Sequence, residues 1–172
     1  MKLSLLSTVA AVALLAMSPT AFAADLAIDP PMMADEAPTG TFEGAYVGIF
    51  GTTYLGAGQY GVGGELGYNL LPAESVLLGF ELSGVVFSTG YDPEVWFKGK
   101  LGFTADSFAV YGFGEVGAYF SGGGATQQYG LGAGAEVFVA DSVSLAGEVG
   151  MRADVGNSLA NPHAQLGVRF HF

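Results

Sequence analysis

From Glu43 to the carboxy end, apolar residues alternate with small or polar ones, and glycine recurs every two to four positions. The last stretch shows this most plainly. Ala164, Leu166, Val168, Phe170 and Phe172 share one parity, while Gln165, Gly167, Arg169 and His171 share the other. The same division separates Val76, Leu78, Phe80 and Leu82 from Gly79, Glu81 and Ser83, and Val143, Leu145, Val149 and Met151 from Ser144, Glu148, Gly150 and Arg152. A period of two belongs to a β-strand whose two faces meet different surroundings, and no stretch here carries the period of an amphipathic helix. The spacing predicts eight strands: Gly44–Thr53, Gln59–Asn69, Val76–Ser88, Glu94–Thr104, Phe108–Phe120, Gln127–Val139, Val143–Asp154 and His163–Phe172.

A weak internal repeat organises them. Ala73-Glu74-Ser75, Ala105-Asp106-Ser107 and Ala140-Asp141-Ser142 each precede a strand with a glutamate on its polar face. They recur at about the length of two membrane strands with their connections, so the repeat unit is a hairpin and the three short turns belong on one rim. The opposite rim is more varied: Tyr54–Gly58, Thr89–Pro93, Ser121–Thr126 and Val155–Pro162.

Following the alternation strand by strand brings Glu65, Glu81, Glu115, Glu136 and Glu148 onto the same face as Lys98, Lys100, Arg152 and Arg169. In a soluble sandwich the polar face is wet and the apolar face forms the core. Here the polar face is mostly glycine, serine and charge, which suits an inverted arrangement: apolar side chains toward lipid, and small residues inside leaving room for a few large charged ones. The expected fold is therefore all-β, an eight-stranded antiparallel up-and-down transmembrane β-barrel with a polar, salt-bridged interior. A barrel of that size is filled by side chains, so the nine charges are expected to pair as a lumen network. Parity places Trp96 and Phe113 inside and Phe80, Phe97, Phe103 and Phe108 against lipid. Aromatics near strand ends, Tyr46, Tyr54, Tyr60, Tyr68, Trp96, Phe108, Tyr119, Phe120, Tyr129, Phe170 and Phe172, are candidates for interfacial girdles, though some of them, Trp96 by its parity, fill the lumen instead.

Composition sharpens the picture. The chain has 172 residues, 51% hydrophobic and only 12% charged, enough for one domain whose surface must be covered by something apolar. Met1-Lys2, an apolar run from Leu3 to Met17 and the small-residue pattern Ala21-Phe22-Ala23 predict a cleaved secretory signal peptide over residues 1–23. Residues 24–41, with Asp25, Asp29, Asp35 and Glu36 interleaved with prolines, are expected to form an acidic, flexible lead segment; the barrel takes 42–172. Without Lys2, four basic residues face 16 acidic ones, a balance that disfavours nucleic acid and leaves no basic patch for anionic head groups. The absence of cysteine removes disulfides and thiolate metal sites.

The sequence also resembles the small outer-membrane β-barrel proteins of Gram-negative bacteria, in the broad opacity-like and porin-like group. The likeness rests on Phe42-Glu43-Gly44-Ala45-Tyr46-Val47-Gly48, the glycine-rich run from Gly130 to Gly134, and the closing Leu166-Gly167-Val168-Arg169-Phe170-His171-Phe172. It implies an outer-membrane location and an envelope-structural or surface-exposed role, with both termini in the periplasm and the varied loops outside. It further implies an assembly signal at Phe170 and Phe172 read by the barrel-assembly machinery, and contact with outer-membrane lipid and lipopolysaccharide. The loops are shorter than those of many such proteins, which argues against adhesin or receptor activity.

No enzymatic activity and no cofactor are expected. Ser158 near His163 has no supporting motif, and the two histidines, without cysteine, match no recognised metal-ligand spacing. The glycine-rich stretches lack the Lys-Ser/Thr ending of a phosphate loop. The leading expectation is a structural barrel with a plugged lumen. A narrow channel for small solutes is the alternative, and a soluble lipid-binding barrel, which would need its apolar face turned inward, is a third.

Overall fold

The computed structural model describes residues 40–88 and 92–172. The expected signal peptide and nearly all of the lead segment lie outside the described residues. Among the described residues there are eight strands: β1 (Gly44–Tyr54), β2 (Gln59–Ala73), β3 (Val76–Phe87), β4 (Glu94–Ala105), β5 (Phe108–Ser121), β6 (Gly124–Ala140), β7 (Val143–Asp154) and β8 (Asn161–His171). Each pairs antiparallel with its sequence neighbours, and β1 pairs with β8 from Tyr46↔His171 to Tyr54↔His163, closing the barrel. Closure leaves no open sheet edge, which a hydrocarbon surrounding requires because it has no water to satisfy free amides.

The three Ala-acidic-Ser turns do lie on one rim, and each is tied to the next hairpin in the same way. Ser75 O accepts from Thr104 N, Ser107 O from Phe138 N and Ser142 O from His171 N, and Phe172 N completes the circuit by donating to Ala45 O. At this turn rim Gly44 has φ +116°, where the chain swings from beneath the barrel into β1 close to the Phe172 carbonyl; a side chain there would be strained. The loop rim is tighter than expected at one point. The predicted loop Ser121–Thr126 is in fact a two-residue turn, because Gly122 and Gly123 both take positive φ, the geometry that continues the right-handed twist of a hairpin directly from one strand into the next.

The outward parity is apolar, with Ile49, Val62 and Leu166 at 71%, 66% and 69% exposure. Phe80, Phe97, Phe103 and Phe108 point outward, and Trp96 and Phe113 are buried inside. Tyr68, Phe80, Phe103, Phe108, Phe170 and Phe172 form an aromatic band near the turn rim. Two residues assigned to such a band face the other way: Tyr46 is buried in the lumen and Tyr54 is half-buried there, because both carry the inward parity of Gly48, Phe50 and Thr52 and their hydroxyls find carboxylates. Tyr119 also departs, lining a cavity at the loop rim.

The glycines of the inward face answer to the large side chains. Tyr46 lies directly across from Gly67, Phe50 from Gly63, Trp96 from Gly117, and Phe113 from Gly132. Each ring leans over its glycine so closely that a Cβ at Gly63 would sit 2.3 Å from the Phe50 ring, and one at Gly132 2.2 Å from the Phe113 ring. A narrow cylinder can hold large inward residues only if their cross-strand partners have no side chain. Gly99, on the outward parity of β4, has nothing within 4 Å of its would-be Cβ.

This contrast sets a test. Gly132→Ala is expected to destabilise the barrel by about 1–3 kcal/mol through overpacking, while Gly99→Ala changes it by less than about 0.5 kcal/mol. Urea unfolding of the refolded protein in detergent measures both; equal effects would show that the pairing of bulk with glycine is incidental.

Candidate functional site: the charged lumen and its vestibule

The inward residues stack in tiers from the turn rim upward. Phe42, carried under the barrel by the segment before β1, packs on Phe138 with ring centroids 4.6 Å apart and joins Leu77, Ala109, Tyr111 and Phe113 in an apolar base. Just above, Ser144 Oγ donates to Glu136 Oε1 at 2.6 Å, and His171 Nε2 lies 2.9 Å from the same carboxylate oxygen.

The central tier is built around Arg169, delivered by β8 and fully buried. Its Nε donates to Glu65 at 2.6 Å, Nη1 to Glu136 at 2.6 Å, and Nη2 to both Glu81 and Glu148 at 3.0 Å. One guanidinium thus meets four carboxylates from four other strands, β2, β3, β6 and β7, using the fork geometry that suits arginine to this task. Lys98 bridges Glu81, at 2.9 Å, and Glu148; Lys100 reaches Glu81 at 3.1 Å and the Tyr46 hydroxyl. Two phenols complete the tier, Tyr46 donating to Glu81 and Tyr111 to Glu148, each at 2.8 Å.

The upper tier belongs to Arg152. Its Nε and Nη2 clamp the two oxygens of Glu115 at 2.7 and 3.2 Å, while Nη1 reaches Glu94 and the Tyr54 hydroxyl at 3.2 Å. The guanidinium lies 3.8 Å from the Trp96 ring centroid, and the indole Nε1 donates to Glu94 at 2.9 Å. Above it the lumen widens into a vestibule of about 570 Å³ at the loop rim.

All nine charges assigned to the lumen by parity, Glu65, Glu81, Lys98, Lys100, Glu115, Glu136, Glu148, Arg152 and Arg169, are buried there and ion-paired. Sequence reading passed over Glu94 and Tyr111 and offered Tyr46 and Tyr54 for the interfacial girdles instead. The signal was present: Glu94 shares the inward parity of Trp96, Lys98 and Lys100, and Tyr111 that of Phe113 and Glu115. Phe170 and Phe172 stand exposed on the outer wall, their rings 5.2 Å apart.

The fold does bring a serine, a histidine and a glutamate together at Ser144, His171 and Glu136. Both partners meet the same ring nitrogen, Nε2, with the serine oxygen at 3.0 Å, whereas nucleophilic catalysis places the hydroxyl and the acid on opposite nitrogens. Ser144 is also fully buried, so this cluster satisfies the base of a polar core. Ser158 is exposed on its loop while His163 is buried in β8 beside Glu115, at 3.7 Å.

Apolar outside, ionised and internally paired inside, closed by eight antiparallel strands: the molecule has the architecture of a small transmembrane β-barrel. Among solved structures it is similar to the N-terminal β-barrel domain of Pseudomonas aeruginosa OprF, with a TM-score of 0.58 and 15% identity over 76% of this chain and 98% of that one. It is also similar to a de novo designed transmembrane β-barrel, at TM-score 0.48 and 12% identity over 75% of this chain and 95% of that one. The designed barrel TMB2.3 gives TM-score 0.48 and 14% identity over 76% and 94%. No protein-family model matches the chain, and no curated protein matches it. At such identities the likeness to the OprF barrel concerns the fold.

Arg169→Met, which leaves four buried carboxylates without their shared cation, is expected to cost about 3–5 kcal/mol, the range for breaking a buried ion pair from one side. The urea midpoint of the refolded barrel measures it, and a midpoint equal to that of the parent would show that the other cations alone hold the lumen together.

Proposed function

We propose that the protein is a structural outer-membrane barrel whose lumen is plugged by its own side chains, contributing to envelope integrity or presenting short loops. The observation that carries this reading is the Arg169 cluster: a guanidinium bonded to carboxylates from four other strands occupies the axis where a solute would have to pass. The aromatic base around Phe42 and Phe138 supports it by stopping the lumen again at the turn rim. In this reading residues 1–23 direct export, both chain ends lie in the periplasm, and the short loops face outward. Membership of the opacity-like and porin-like group belongs to the same proposal, supported by the shared barrel plan and by the alternation along β8. The protein acts without a cofactor and not as an enzyme; its partners are outer-membrane lipid, lipopolysaccharide and, during biogenesis, the assembly machinery. The oxygens and nitrogens of the lumen serve to hold eight strands in register.

Planar-bilayer recording tests the plug. The parent barrel is expected to be silent, and Glu148→Ala or Arg152→Ala to open measurable leak currents; intrinsic ohmic conductance in the parent would replace this reading with a narrow channel whose selectivity elements are the same charges. Location is tested separately. The mature protein is expected to stay with membranes through carbonate extraction, and deletion of Phe172 to reduce its assembly there. Release by carbonate without detergent would defeat both membrane readings, and undiminished assembly of the truncated chain would remove the role assigned to the last residue.

A further inference from the structure

Every lysine and arginine after Lys2 is consumed inside the barrel: Lys98, Lys100, Arg152 and Arg169 are each buried and ion-paired. Among the described residues the charged groups that line the vestibule at the loop rim are therefore all carboxylates. Asp92, Glu94 and Asp154 contribute carboxylates to its lining, and the cation beneath it, Arg152, is held by Glu115 from below and shared with Glu94. Concave walls around charges of one sign concentrate the field that attracts a counter-ion.

The lining also has an unfilled hydrogen-bonding position. Gln128, 8% exposed, lines the vestibule; its Nε2 donates to Asp154 at 2.9 Å, but its Oε1 has no hydrogen-bond partner. An acceptor of this kind is completed by a donor, and an ammonium group carries three. Tyr54 and Tyr119 add aromatic surface of the type that attracts organic cations.

The geometry does not favour a bare metal ion, since among the described residues no group of three Asp, Glu or His side chains is placed to hold one. A volume of about 570 Å³ is instead that of a small-molecule site. We propose that the vestibule binds small organic cations carrying primary ammonium groups, their charges spread between the Asp154–Gln128 wall and the Asp92–Glu94 wall. The site goes beyond the plugged-barrel reading and stands whether or not the lumen conducts.

Trp96 is the chain's one tryptophan, and its indole bonds to Glu94, so its fluorescence reports on the vestibule floor. Full-length protein refolded in detergent is titrated with 1,4-diaminobutane. The expected result is a saturable change in emission that neither the uncharged 1,4-butanediol nor magnesium chloride at matched ionic strength reproduces. Asp154→Asn and Asp92→Asn are each expected to weaken binding about tenfold, as loss of one charge-assisted contact does. Glu74→Gln, on the opposite rim, is expected to leave it unchanged. Heat-modified gel mobility verifies that each variant is folded, and Asp92→Asn, in the loop before β4, carries the test if Asp154→Asn fails to fold. No saturable response, an equal response to the diol or to magnesium, or an affinity unmoved by the vestibule substitutions overturns the proposal.

Discussion

Charge pairing along the barrel axis is the interaction on which the rest of this structure depends. Ions removed from water are stable only when opposite charges and hydrogen bonds replace the solvent they lose. Arg169 satisfies that condition for four carboxylates at once; Lys98 meets the Glu81 and Glu148 oxygens it leaves, while Lys100 and the two phenols add donors to the ones it holds. Because those groups come from strands all around the cylinder, the network ties the wall to itself across the lumen as well as along its ladders.

That arrangement fixes much else. Long inward side chains fit in a narrow lumen only where the strand beside them carries glycine, and the pairing of Tyr46 with Gly67 or Phe113 with Gly132 is the steric counterpart of the ionic core. The outer wall is freed to be apolar, since polarity is gathered within. The two ends of the lumen then differ in character. Toward the turns, Phe42 and Phe138 close it with rings; toward the loops, it opens above Arg152 into an acidic bowl. With the barrel's cations held in its interior, the charged groups that line that mouth among the described residues are carboxylates.

The catalytic-looking trio at the base illustrates how such a core should be read. Ser144, His171 and Glu136 are mutually bonded because the turn rim crowds three polar side chains beneath the Arg169 tier, and all three are buried. Proximity satisfied their hydrogen bonds without giving the ring the two-sided geometry that proton transfer needs.

How much was legible beforehand follows from the range of the forces involved. A period of two is local, so strand positions, the inside and outside faces and the burial of Arg169 or Glu81 could be read from neighbouring residues alone. Only parity, consistently applied, was needed for Glu94 and Tyr111 as well. Contacts across the lumen are another matter. Glu65 and Arg169 are 104 residues apart, and Arg152 and Glu115 are 37 apart; which carboxylate meets which cation depends on barrel closure and on the stagger between β1 and β8. Tyr46, offered for an interfacial belt by its place near a strand end, carries the inward parity too; what parity could not supply was Gly67 opposite it and Glu81 within reach of its hydroxyl. Likewise the vestibule is lined by residues from hairpins distant in the chain, from Tyr54 to Pro162. Alternation along the chain thus determined which way each side chain faces, whereas its partners were decided by three-dimensional closure, since Coulombic and steric contacts act through space between residues that no local pattern brings together.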